Sequence, residues 1–324
     1  MNAGDKLLAD IGGTNARFAW QAHGSDTLDQ VVNLRCADHA SLADAMTAYL
    51  QQIQRPAPAR CCIAIANPVV GDVVKMTNHH WSFSIQGLRA QFGFHQLRVL
   101  NDFTALALAL PLLQAQELRQ ISGEGAAPNA AIGLIGPGTG LGVSGLLPNG
   151  RGGWVPIEGE GGHVSLAAIT PREQAVLAWL AQRHGGHASA ERAVCGQGLS
   201  DLYSALHALN GVIEPSTLDA AAVVAAALAQ SDALAEEALD LFCGFLGTVA
   251  GNLALTLGAR GGVYIGGGIV PRLGSAFDRS AFKTRFEKRG RFTSYLAAIP
   301  VYVIQADPSP ALRGASSALD GEAA

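Results

Sequence analysis

Two short runs meet at Asn101-Asp102: Leu97 to Leu100 is apolar and branched, and Phe103 to Leu110 is rich in Ala and Leu. The first has the length of a buried strand and the second favours helix, so the pair is predicted where a strand gives way to a helix. In open α/β sheets ligands bind at such junctions, where strand carboxyl ends face the positive end of the next helix. Asn and Asp are equally suited to capping a helix and doing no more. The segment Asp10-Ile-Gly-Gly-Thr-Asn15 puts a carboxylate at a strand end before two glycines and a hydroxyl. Backbone N–H groups of Gly12, Gly13 and Thr14 suit phosphate oxygens, and Asp10 suits Mg²⁺ held through water. The same residues also make an ordinary hairpin turn. A second turn, Gly138-Thr139-Gly140-Leu-Gly142, offers another cradle with a hydroxyl. Gly140, Gly142 and Gly145 also fit the dinucleotide spacing GxGxxG, but that motif opens a helix, and here the chain continues as strand and turn. No GxxxxGK[ST] sequence occurs, which excludes a Walker-type loop.

Glu160 and His163 stand three residues apart on the glycine-rich loop GEGGHV. A carboxylate beside an imidazole suits vicinal sugar hydroxyls, and zinc would need a third ligand nearby. Glu191, in HASAER, either adds another carboxylate or is a solvated helix residue. Gly266-Gly267-Gly268 follows the strand-like Val-Tyr-Ile, so it either lets a flat base lie against backbone or serves as a packing turn.

The elements that must position these groups alternate strand and helix, which makes the class α/β. Lys6–Ile11 and Ala16–Trp20 read as a hairpin tipped by the glycines, with a further strand at Val31–Leu34. Ser41 with Asp44 opens a helix to about Ile53, the Pro56/Pro58 pair ends it, RCCIAIANPV supplies a buried strand stopped by Pro68, and a polar aromatic loop follows. Residues 122–129, SGEGAAPN, form the sharpest composition break and the candidate linker to a second lobe. That lobe opens with strand, glycine turn and strand, an echo of residues 6–20. Thr170-Pro171-Arg172-Glu173 is a capping box that starts a helix to about Arg183. Helices follow at Leu199–Ala208, Ala220–Gln230 and Ala233–Thr256, the last as one helix or two, then strands at GVYIGG and PVYVIQ and a closing helix in SPALRGASSAL.

The chain has 324 residues, 15% charged, with 39 glycines and a formal net charge of −4. Its length suggests two lobes, and its charge gives no reason to expect nucleic acid or an anionic membrane as partner. Five cysteines with no CxxC pair indicate neither a zinc knuckle nor a secreted disulfide frame. Leu241 to Ala259 is uncharged and long enough to span a bilayer, with Gly247 and Gly251 in GxxxG spacing. Its Thr248, Asn252 and Thr256 favour a buried helix of a soluble protein. The N-terminus lacks a long apolar core, so it is not read as a signal peptide and a cytoplasmic location is expected.

In order, DIGGTNARFA, CIAIANPVVGD, MTNHHWSFS, NDFTAL, GPGTGLGV, GEGGHVSL, SAER and GGVYIGGGIVPR resemble the bacterial glucokinase family, the non-ROK group of the hexokinase/actin-like ATPase superfamily. The ROK group's CxCGxxGC element is absent. The resemblance implies a two-lobed actin-like, ribonuclease H-like ATPase fold with a cleft, the small lobe formed by residues 1–112 plus 303–324 and the large lobe by 113–302. It implies transfer of the ATP γ-phosphoryl group to the 6-hydroxyl of glucose, the first step of glycolysis, with Asp102 as the base. It further implies that Asn101, Asp102, Glu160, His163 and Glu191 bind the sugar, and that Asp10, Gly12, Gly13, Thr14, Asn15, Gly138, Thr139 and Gly140 face phosphates and Mg²⁺. Gly266, Gly267 and Gly268 would approach adenosine, Thr77 to Trp81 would shape the sugar cleft, and the enzyme would be a homodimer. Pro137 and the tail PSPALRGASS depart mildly from the family pattern.

Overall fold

The structure, a computed structural model, describes residues 4–212, 218–306 and 309–321. The chain divides into two compact units, Met1–Gln114, Pro156–Glu158 and Ala306–Ala324 forming one, Ala115–Val155 and Gly159–Gln305 the other.

In the first unit β1 (Lys6–Ile11), β2 (Asn15–Gln21) and β3 (Asp29–Arg35) form an antiparallel meander, followed by α1 (Leu42–Gln52) and β4 (Arg60–Ile65). A short hairpin, β5 (Val73–Lys75) with β6 (Ser82–Ser84), leads into α2 (Ile85–Phe92), β7 (Gln96–Asn101) and α3 (Asp102–Ala109). The sheet order is β3-β2-β1-β4-β7, with β4 parallel to both neighbours. Ser41 caps α1 by accepting from the Asp44 amide, as the Ser/Asp spacing predicts. The pair β5–β6 and α2 lie where the sequence reads only as polar loop, because strands of three residues leave too little periodicity to register.

The second sheet is built first from β8 (Leu118–Ser122), β9 (Ile132–Pro137), β10 (Leu141–Pro148) and β11 (Trp154–Ile157). Then come α4 (Pro171–Arg183), α5 (Gly196–Leu209), α6 (Ala220–Leu228), α7 (Ala233–Leu257), β12 (Val263–Ile265), α8 (Val270–Leu273), α9 (Ser275–Arg279), α10 (Phe282–Glu287), α11 (Thr293–Ala298) and β13 (Val301–Ile304). The chain closes with α12 (Ala311–Asp320), which belongs to the first unit and packs against α3. The second sheet runs β11-β10-β9-β12-β13-β8, so its hairpin with two parallel neighbours repeats the β2-β1-β4-β7 arrangement of the first. The echo read from the sequence is therefore a repeat of topology.

Residues 122–129 are not a linker. Ser122 ends β8, which pairs antiparallel with β13, and the rest of the segment is fastened inside the second unit by Glu124 N–H to Ala298 O and Ala127 N–H to Arg260 O. Gly123 adopts φ +82°, and a Cβ there would lie 2.3 Å from the Ile299 carbonyl oxygen. Likewise β13 pairs with β8 and β12, so residues 303–304 are part of the second sheet and the chain leaves that unit only after Gln305. Pairing between segments about 180 residues apart leaves no local trace in composition.

The apolar segment at 241–259 lies in α7, one unbroken helix of 25 residues capped by Asp232 and ended by Gly258 in the left-handed region. The core of the second unit buries it, with Phe242, Phe245, Leu246 and Ala250 fully enclosed. Gly247 and Gly251 serve close packing on α10: added Cβ atoms would fall 2.4 Å from Phe282 O and 3.0 Å from Phe286 O.

Candidate functional site

In the first unit the register Ile11↔Ile65↔Asn101 sets the carboxyl ends of β1, β4 and β7 side by side. The Asp10–Asn15 turn and the Asn101-Asp102 pair are thus two strand spacings apart, about 10 Å. Asn101 caps α3, its Oδ1 accepting from Phe103 N–H at 2.9 Å and Thr104 N–H at 3.3 Å. Asp102 is the first helical residue and accepts from Phe103 N–H at 2.9 Å through Oδ1. Capping, one of the two readings of this pair, falls mainly to Asn101.

The hairpin tip closes by Gly12 N–H donating to Asn15 O at 2.9 Å, so that amide is engaged within the turn. Among the described residues the amides of Gly13 and Thr14 meet no protein acceptor, and they are the donors this turn can offer a phosphate. Gly13 lies against the segment Thr77–Trp81, and a Cβ on it would stand 3.1 Å from Asn78 O. Asp10 pairs across the hairpin with Arg17, but Nη1 stays 3.9 Å from Oδ2. Burial raises the pKa of the Asp10 carboxyl, and Arg17 offsets this only in part.

One residue not singled out by sequence reasoning joins these parts. Asn67, just past β4, is buried; its Oδ1 accepts from Thr77 N–H at 3.1 Å and its carbonyl accepts from Asn101 Nδ2 at 3.5 Å. It links the Thr77–Trp81 segment to the cap of α3. The only sequence signal is an Asn-Pro after a buried strand, which marks a turn and nothing more. In the same segment Trp81 is buried and donates to His39 O at 3.1 Å, while burial and the neighbouring His80 hold the pKa of His79 below its ordinary value.

In the second unit the Gly138–Gly142 turn joins β9 to β10, and Gly138 N–H donates to Gly140 O at 2.8 Å. Gly196 N–H, at the start of α5, donates to Gly138 O at 2.9 Å. A Cβ on Gly138 would meet nothing within 4 Å, so this turn is open on that side. Glu191 reaches the turn, its Oε2 accepting from Leu141 N–H at 2.9 Å. Glu160 and His163 sit in the next loop with Oε2 and Nε2 3.9 Å apart and side chains 55% and 59% exposed, free to meet a ligand. That loop is tied to the Glu191 segment by Ala190 N–H to Val164 O at 2.8 Å and by the Ser165–Ser189 bridge. Gly266 N–H donates to Ile135 O, and Gly267, at φ +78°, has no room for a Cβ, which would lie 2.2 Å from Pro137 O. The Gly266–Gly268 bend therefore abuts the Gly138 turn. A Cβ on Gly268 would meet nothing within 4 Å, which leaves backbone open there.

The first unit gathers Asp10, Gly12, Gly13, Thr14, Asn15, Asn101 and Asp102; the second gathers Gly138, Thr139, Gly140, Glu160, His163, Glu191, Gly266, Gly267 and Gly268. No group of three or more His, Cys, Asp or Glu side chains able to hold a metal occurs among the described residues. Asp10 still fits Mg²⁺: it is a half-buried carboxylate, its side chain 21% exposed, with an incomplete counter-charge, and Mg²⁺ commonly takes one or two carboxylates, keeps several waters and completes its shell with substrate phosphates.

Residues 7–322 match the family described as Glucokinase. A glucokinase of Aromatoleum aromaticum is 56% identical over 316 residues, covering 97% of this chain and 94% of that one. One from Chromobacterium violaceum is 50% identical over 314 residues, with 97% and 89% covered. Among solved structures, a glucokinase from an Antarctic psychrotroph superposes with a TM-score of 0.87 at 37% identity, covering 98% of this chain and 99% of that one.

Proposed function

This chain belongs to the glucokinase family, an ATP-dependent sugar kinase of actin-like fold that converts glucose to glucose 6-phosphate, and from that premise we propose how its residues divide the work. Asp102 is the general base. Its carboxylate accepts the proton of the sugar 6-hydroxyl as O6 bonds to the γ-phosphorus and the bond to the β–γ bridging oxygen breaks, releasing ADP. Phosphoryl transfer has a loose transition state, so alignment and charge neutralisation carry most of the catalysis and one well-placed carboxylate suffices. Asn101, Glu160, His163 and Glu191 hold the sugar hydroxyls. In the first unit the amides of Gly13 and Thr14 receive the phosphates while Gly12 and Asn15 close the turn that presents them; in the second Thr139 and Gly140 do so on a turn closed by the Gly138 amide, and Gly266 to Gly268 approach the adenosine. Asp10 would hold Mg²⁺, which would supply neutralisation of charge on the transferring phosphates.

The observation that supports this division most directly is the in-register alignment of β1, β4 and β7. It brings the backbone of the Asp10–Asn15 turn within two strand spacings, about 10 Å, of the Asn101-Asp102 pair. That span suits a phosphoryl group and a sugar hydroxyl placed between a metal-binding and a base-bearing carboxylate. A cytoplasmic homodimer is part of the same proposal. A coupled assay with ATP, Mg²⁺ and a panel of hexoses tests the activity: the highest kcat/KM is expected for glucose. Preference for fructose or mannose would reassign the acceptor, and no glucose 6-phosphate at all would sink the proposal.

A further inference from the structure

The geometry points to a second role for Glu191: it couples sugar and nucleotide, with Oε2 holding the phosphate turn and Oε1 taking a sugar hydroxyl. This rests on the reading of Glu191 as a sugar ligand.

Three observations within the second unit support the inference. The Glu191 Oε2–Leu141 N–H bond of 2.9 Å is charge-assisted and falls on the last residue of the glycine turn, where β10 begins. Gly140 makes that approach possible, since a Cβ there would lie 2.5 Å from Oε2. Leu141 is also touched from the sugar side by the Glu160–His163 loop, where a Cβ on Gly162 would lie only 2.1 Å from the Leu141 carbonyl oxygen. One residue of the phosphate turn thus contacts both segments proposed to hold glucose. The other Glu191 oxygen takes part in no hydrogen bond among the described residues, which leaves it available to a hydroxyl.

The consequence follows from conformational freedom. With Oε1 unengaged, the Glu191 carboxylate is held at one oxygen only, and the Leu141 anchor rests on that single bond. A hydroxyl on Oε1 fixes the carboxylate, the carboxylate fixes the turn, and the nucleotide then meets a turn already ordered. By linkage the nucleotide must tighten sugar binding by the same factor.

The test measures the dissociation constant of Mg²⁺–AMP-PNP, a non-hydrolysable ATP analogue, with and without saturating glucose, in the full chain and three variants. In the parent protein glucose is expected to tighten analogue binding about 5-fold or more, the lower end of ordinary allosteric coupling. Glu191→Ala should weaken glucose binding and bring the coupling to about 1-fold, where no linkage remains, even with glucose raised to saturation. Gly140→Ala, whose methyl would stand 2.5 Å from Oε2 and push the carboxylate off Leu141, should lose coupling in the same way. Glu191→Gln keeps a carbonyl oxygen for Leu141 N–H, so it should bind glucose more weakly yet retain measurable coupling, which separates the effect from misfolding. Full coupling in Glu191→Ala with weakened glucose binding overturns the inference and leaves the sugar-ligand reading standing. Unchanged glucose affinity in Glu191→Ala removes that reading, and the inference falls with it. Absence of coupling in the parent protein overturns the inference as well.

Discussion

Asp102 shares its junction with a residue that already does the structural work. Asn101 Oδ1 accepts from two amides at the start of α3, so replacing Asp102 should leave the helix start intact. Asp102→Asn preserves size and removes the ability to take a proton. It is expected to lower kcat by about 10²- to 10⁴-fold, the usual contribution of a general base, with an unchanged circular dichroism spectrum. Near-normal turnover in that variant would show that another group accepts the proton. At this scale the site was half legible. Asp102 and the two glycine turns stood out because a carboxylate at a strand-to-helix junction and glycines clustered between two strands both suit a ligand. That the Gly12 and Gly138 amides are engaged within their own turns was not legible, because it depends on which backbone groups the turns use for themselves. Asn67 was hidden for a similar reason: its partners Thr77 and Asn101 lie 10 and 34 residues away.

Among the elements, α7 tests two kinds of local rule at once. Asp232 caps it by accepting from Leu234 and Ala235 N–H, and accepts from the Tyr203 hydroxyl at 2.6 Å. These bonds, the Tyr203 bond foremost, lower the pKa of its carboxyl. A lowered carboxylate pKa stabilises the fold above its unfolded value and is lost as pH falls through the folded value. Asp232→Ala is therefore expected to lower unfolding free energy by about 1–2 kcal/mol near pH 7, as for other N-caps, and the difference from the parent should shrink below about pH 4. Urea midpoints at the two pH values measure it, and a deficit that stays constant into acid would contradict the charge-dependent part. Further along α7 the glycines separate by what a methyl would meet. At Gly247 it would strike the Phe282 carbonyl, whereas at Gly244 it would touch Ala281 and Arg285 side chains at 3.5–3.6 Å, an ordinary contact. Gly247→Ala should cost about 1–3 kcal/mol from overpacking, and Gly244→Ala should be neutral or gain up to about 1 kcal/mol of helix propensity. Equal effects in thermal unfolding would refute the packing explanation of the GxxxG spacing.

On the scale of the whole molecule, the sequence showed the repeat of hairpin and following strands, while the composition break at residues 122–129 falls inside the second unit rather than at a seam. A composition break is a local property, whereas the seam is decided by long-range pairing of β8 with β13. The cysteines give a way to test the two units as folding units. Cys36, Cys61 and Cys62 lie in the first and Cys195 and Cys243 in the second, and all five are buried free thiols. Burial raises their pKa values, that of Cys62 to about 12 and that of Cys243 to about 12, so almost no thiolate is present near pH 8. Cys61 and Cys62 are successive strand residues that face opposite sides of the first sheet, so their joint exposure requires that sheet to open on both faces. In Ellman's reagent at pH 8 the native protein should therefore show essentially no fast-reacting thiol, and the guanidinium-unfolded chain should show five. If the two units open independently, intermediate denaturant should give a reaction in steps of two and three thiols, assigned by mass spectrometry of the labelled peptides. A single step of all five would show that the units unfold as one, and labelling that mixes cysteines of both units in the first step would contradict the division.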